Sequence, residues 1–149
     1  MKNLKKGDTV VMRNCGESEF PKYKDKEWIC SSDSYFNGGE KGTEVVFLEG
    51  FSGCFACDCL NKIMFVTHNG STFYDLIAKE EIIKETDTTI IIIKNGKERR
   101  KAKQTQYEKY FSTNQKARVE ICNLIGNKEA QARRIMQEIE DLENRLSNH

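Results

Sequence analysis

A chain of 149 residues, 32% of them Asp, Glu, Lys or Arg, carries a formal net charge of only +1. That length holds one domain, or two small modules with small hydrophobic cores, and the near-cancellation of charge excludes an overall field that would draw the chain to nucleic acid or membrane. No apolar run reaches the roughly 18 residues of a membrane span, and residues 1–6 lack the apolar core of a secretory signal, so the expected setting is cytoplasmic with no membrane partner.

The first module, residues 1–61, reads as a succession of short strands. Residues 8–14 alternate and are rich in β-branched side chains, residues 26–31 carry the only tryptophan, Trp28, residues 43–49 form an apolar run, and residues 53–59 follow a tight turn. Gly38, Gly39, Gly42, Gly50 and Gly53 punctuate these runs where a small sheet must turn sharply. Successive short strands with little helix predict a small β-barrel, closed or nearly so. Six cysteines without an export signal read as reduced thiols. Cys54, Cys57 and Cys59 offer three thiols within six residues, the beginning of a zinc site, because thiolates are good zinc ligands and Cys-x-x-Cys is a usual half-site. No second Cys-x-x-Cys or His pair follows at standard spacing, so Cys15 or Cys30 would have to complete the tetrahedron. Small core residues are the preferred reading, and no metal is expected.

The second module, residues 62–149, begins as an antiparallel meander. Residues 62–68 form a strand, Asn69-Gly70 is a two-residue hairpin signal, and residues 72–85 make a long, partly amphipathic strand. A turn at Asp87-Thr88 leads to Ile90, Ile91, Ile92 and Ile93, apolar and β-branched enough to predict a buried strand. Asn95-Gly96 turns the chain back into residues 98–103. His68 precedes the first hairpin turn, and nothing near it in sequence supplies both a nucleophile and an orienting carboxylate, so no catalytic residue is expected.

Arg99, Arg100, Lys101 and Lys103, followed by Tyr107, Tyr110 and Phe111, form the best binding candidate. In a strand Arg99, Lys101 and Lys103 share one face at about 7 Å per step, a basic row that suits phosphates or an acidic protein surface. The aromatics suit stacking on a base. The alternative is a solvated edge strand whose charges prevent edge-to-edge pairing.

The remainder is helical. Ser112 with Gln115 fits a capping box, and apolar residues then recur at spacings of three and four: Ile121, Ile125, Ala132, Ile135, Ile139, Leu142 and Leu146, interrupted by Lys128. Unbroken to Leu146, the helix would be about 50 Å long, more than so small a sheet covers. The part beyond Gly126-Asn127 therefore either folds back as a helix hairpin or meets another surface through Ala132, Ile135, Ile139, Leu142 and Leu146. A second copy of the chain is the simplest such surface.

Two resemblances emerge from these residues. Lys6-Gly7-Asp8-Thr9-Val10-Val11-Met12, Trp28, and residues 44–55 running to Leu60 resemble the SH3-like barrels of small phage and prophage accessory proteins. The strands leading into Tyr110-Phe111-Ser112-Thr113 and Ala117 are similar to a second phage module, a short meander followed by a "YF-T…A" start to a charged helix. Such proteins include inhibitors of host defence, anti-CRISPR proteins among them, and sponges for signalling nucleotides. The resemblance carries over no catalytic residue; the fold expected from the strand and helix pattern is α+β, and no cofactor is expected. The protein's role would be to inhibit or sequester a bacterial host component by surface occlusion, and the alternative is nucleic-acid or signalling-nucleotide binding through the Arg99 to Lys103 row.

Overall fold

The computed structural model describes residues 2–39, 41–68, 77–105 and 107–147. The fold is α+β: among the described residues, ten strands in two largely antiparallel sheets and one C-terminal helix. In chain order the strands are β1 (Thr9–Met12), β2 (Glu27–Ile29), β3 (Tyr35–Asn37), β4 (Thr43–Phe47), β5 (Cys54–Ala56), β6 (Leu60–His68), β7 (Ile77–Glu85), β8 (Thr89–Lys94), β9 (Lys97–Ala102) and β10 (Glu108–Phe111), before the helix α1 (Asn114–Ser147). The chain divides into two compact units, residues 1–117 and 118–149.

One sheet runs β2-β1-β6-β7-β8-β9 with β10 added on β6, and the other runs β3-β4-β5. Both are open. The long strand β6 organises the unit. Its first half pairs with β1, from Met12 opposite Leu60 to Thr9 opposite Ile63, and its second half pairs with β10, from Phe111 opposite Phe65 to Glu108 opposite His68. Residues 62–67 pair with β7 as well. The module boundary expected after Asn61 thus falls inside one continuous strand. At the far end the chain curls back, with the Tyr110 N–H donating to the Lys103 carbonyl at 2.9 Å and Gln104 bridging Lys109.

Two cores follow. The first gathers Leu4, Val10, Met12, Trp28, Cys30, Val46, Leu48, Phe55, Cys57 and Leu60, with Tyr23, Trp28, Phe51 and Phe55 meeting edge-on or tilted at centroid distances of 5.5–6.1 Å. A single bridge, Cys30 to Leu48, joins the two sheets around it. The second core is aliphatic, Met64, Val66, Ile82, Ile90 and Ile92 with Tyr110. Alternation places these on one face of their strands. A bulge between Ile82 and Lys84 then shifts the pairing, so that Glu85 stands opposite Ile90 on the core side.

Several expectations are met and others corrected. Asn95 and Gly96 both take positive φ, 55° and 70°, the pair a type I′ turn requires. Ile90 and Ile92 are buried, whereas Ile93 is 61% exposed on the opposite face, so this run is half-buried rather than wholly buried. The short strands β3 and β10 were not anticipated. Asn69-Gly70 and residues 72–76 lie outside the described residues. The helix does not fold back at Gly126-Asn127; α1 is continuous over 34 residues. Its start is capped by Thr113, whose Oγ1 accepts from the Lys116 N–H at 3.3 Å, in place of Ser112.

Candidate binding surfaces

The basic row on β9 is divided by the pairing around it. Lys101 stands opposite Ile90 and Arg99 opposite Ile92, on the core side of the sheet. Lys101 Nζ donates to the Tyr110 hydroxyl at 2.8 Å and lies 3.2 Å from Glu80 and 3.5 Å from Glu108. The Tyr110 hydroxyl donates in turn to Glu80 Oε2 at 2.7 Å. Burial, and then Glu80 accepting its proton, push the Tyr110 hydroxyl well above its usual pKa, so it remains a donor across the physiological range. His68 Nδ1, 3.7 Å from Glu108, borders the same cluster.

Lys103 is committed as well. It lies 2.6 Å from Glu85, whose other oxygen meets Lys62 at 2.9 Å, and Lys62 also pairs with Asp8 at 3.1 Å. Burial would raise the Glu85 carboxyl, but the Lys103 and Lys62 hydrogen bonds outweigh it and hold the group below its ordinary range. Lys62 shows the mirror case: burial lowers its pKa, while Glu85 and Asp8 more than compensate and raise it.

Of the six residues expected to contact a partner, Lys101, Lys103 and Tyr110 therefore serve the sheet's own interior. Arg99, Arg100 and Tyr107 are exposed, with Tyr107 64% accessible. Arg99 and Arg100, successive on a strand, point to opposite faces. The acids that neutralise the row, Glu80, Glu85 and Glu108, were missed, because their proximity follows from strand register. The visible signal was the acidic pattern of residues 80–85 running antiparallel to an isoleucine strand.

A groove of about 1160 Å³ opens on the same unit, lined among others by Arg13, Asn61, Lys79, Glu81, Ile83 and Ile93. Arg13 clamps Glu81 through Nε at 3.0 Å and Nη2 at 2.9 Å, and its Nη1 lies 2.9 Å from Asp25. Asn61 Nδ2 donates to the same Glu81 carboxylate at 2.8 Å. The polar wall of the groove is thus internally paired.

The three clustered cysteines are sent to three places. Cys57 is buried in the first core and its thiol is pushed up to about 12, chiefly by burial. Cys54 is exposed beside the Tyr35 hydroxyl, and Cys59 approaches Cys15. These sulfurs do not converge on one ion, and no metal-holding group of His, Cys, Asp or Glu occurs among the described residues.

In the unit of residues 118–149, Ile121 is buried and the helix presents the rest of its apolar stripe to solvent. Ile125 is 47%, Ile135 49%, Ile139 50%, Leu142 56% and Leu146 78% exposed, and Ala132 is exposed between them. No helix among the described residues is long and apolar enough to cross a membrane. No family model, curated protein or solved structure matches the chain.

Proposed function

We propose that this is a non-enzymatic, phage-type binding protein that inhibits or sequesters a bacterial host component, a defence effector such as one of CRISPR-Cas, by covering part of its surface in the host cytoplasm. The first module is read as SH3-like, a reading supported by the order β6-β1-β2, by the Cys30–Leu48 link to β4, and by one core shared around Trp28.

The observation that carries this proposal is the exposed stripe of Ile125, Ala132, Ile135, Ile139, Leu142 and Leu146 on a continuous helix. Side chains at alternating spacings of three and four make a seam, the pattern that two helices bury against each other. Its occupant is a second copy of the same helix. A dimer then offers its target two copies of the exposed Arg99, Arg100 and Tyr107 edge, and two weak contacts on one partner bind far more tightly than one. Occlusion needs only an ordinary interface of roughly 1,200–2,000 Å².

Affinity capture with the tagged protein, from lysate of a low-GC bacterium carrying defence systems and with and without nuclease, tests the reading. One host protein retained after nuclease, and lost on Arg99→Glu with Arg100→Glu, is the expected result. The same Arg99, Arg100 and Tyr107 edge favours a second reading, phosphate or base contact. That reading requires a nuclease-sensitive catch whose affinity falls steeply with salt.

A further inference from the structure

We propose that Cys15 and Cys59 form a redox modification site, at which one intramolecular disulfide closes under oxidising conditions. Both backbones are held in place. Cys15 leads into a single 3-10 turn, Gly16–Glu19, and its carbonyl accepts from the Ser18 N–H at 3.1 Å and the Ser18 hydroxyl at 2.6 Å. Cys59 closes a second such turn, Cys57–Cys59, and its carbonyl accepts from the Arg13 N–H at 2.7 Å where the β1–β6 pairing ends.

These turns set Cys59 Sγ 4.0 Å from the carbonyl of Asn14, the residue before Cys15. Both sulfurs are partly exposed and pack on the rim of the first core. An S–S bond of about 2.05 Å needs Cα atoms within about 7 Å of each other, and the 2.7 Å hydrogen bond from the Arg13 N–H to the Cys59 carbonyl holds the two chain segments together two residues before Cys15. The other four thiols lack this arrangement. Cys30 and Cys57 are buried and pushed up to about 12 by that burial, while Cys54 and Cys122 are exposed at separate places.

The oxidant is a small disulfide such as oxidised glutathione. One thiol loses its proton and attacks the oxidant's sulfur, releasing one glutathione thiolate. The second protein thiol, deprotonated in turn, displaces the other glutathione and forms the Cys15–Cys59 bond. Two protein thiols are oxidised, one glutathione disulfide is reduced to two thiols, and the protons pass to solvent or to those thiolates. Burial, and then the neighbouring Cys15, raise the Cys59 thiol, so closure quickens as pH rises. The bond staples the segment carrying Phe20 and Tyr23 to the foot of β6.

The test equilibrates the full chain in reduced and oxidised glutathione at several ratios, traps free thiols by alkylation and maps peptides without reduction. The expected result is a Cys15–Cys59 linked peptide as the dominant intramolecular product, with Cys54 and Cys122 alkylated or carrying reversible glutathione adducts. The oxidised wild type melts several degrees higher than the reduced form, and Cys15→Ser abolishes that shift. Cys15 and Cys59 both alkylated in the most oxidising mixture, or Cys59 linked to Cys54 or Cys57, would overturn the proposal, and this readout needs no variant to fold.

Discussion

The sheet unit and the helical unit solve opposite problems with the same residue types. In residues 2–117 aliphatic side chains fill the two cores and the charges beside them are paired: the mostly buried Lys62 with Asp8 and Glu85, and, half-buried, Lys103 with Glu85 and Lys101 with Glu80 and Glu108. In residues 118–147, Ile121 is buried, but Ile125, Ile135, Ile139, Leu142 and Leu146 are exposed. A unit that neutralises its interior charges is built to stand by itself. A helix that leaves its seam in water gains little from tertiary burial and relies on propensity and on whatever covers it. The contrast sets a first unit whose interior charges are paired against an apolar seam that, on our proposal, a second copy covers.

The largest effect should come from breaking the sheet unit's interior pairing. Lys62 is 11% exposed at its side chain and serves two carboxylates. Lys62→Met leaves Asp8 and Glu85 without it, and the expected cost is about 3–5 kcal/mol. Urea unfolding followed by the fluorescence of Trp28, the chain's only tryptophan, reads that unit directly. A loss below about 1 kcal/mol would mean that the pair is solvated and that the contrast is overstated.

Acid should act on the same network. The Glu85 carboxyl lies below its ordinary 4.5 when folded, so its contribution is complete above that pH and is lost as pH falls through the folded value. Glu44 shifts the same way: burial opposes, but the Lys2 N–H, the Ser34 hydroxyl and the Asn3 N–H hold its carboxylate. Stability should therefore decline below about pH 4.5, and Glu85→Gln should flatten part of that decline while lowering stability at pH 7. An unchanged acid limb in the variant would remove Glu85 from the account.

The smallest expected effect sharpens the helical side. Gly126 sits inside α1, and an added Cβ meets nothing within 4 Å. Gly126→Ala should strengthen the helix by about 0.5–1 kcal/mol, read as a rise in helical circular dichroism with temperature, and leave the urea midpoint of Trp28 fluorescence in place. A lower helical content would show that the glycine answers a close contact.

Much of this contrast is legible in residue order, because it rests on local patterns. The Asn95-Gly96 turn, the apolar and β-branched strands and the three-four stripe of α1 each depend on near neighbours in sequence. The fate of the basic row was not legible. Lys101 meets Glu80 across 21 residues and Lys103 meets Glu85 across 18, and the bulge at Ile82/Lys84 decides that Glu85 faces inward. Register, bulges and curl are long-range outcomes that alternation alone does not reveal. The division of Cys54, Cys57 and Cys59 among three environments belongs to the same class. The continuity of α1 through Gly126-Asn127 was a local matter decided the other way, the flanking helix formers outweighing one glycine.

Sedimentation equilibrium of the wild-type chain, beside Ile139→Ser with Leu142→Ser, tests the central claim most directly. The wild type should sediment at twice the 17.2 kDa chain mass at micromolar concentration, and the double variant as a single chain with Trp28 fluorescence unchanged. A wild type that stays at 17.2 kDa while its helix is fully formed would contradict the claim that a second copy covers the stripe.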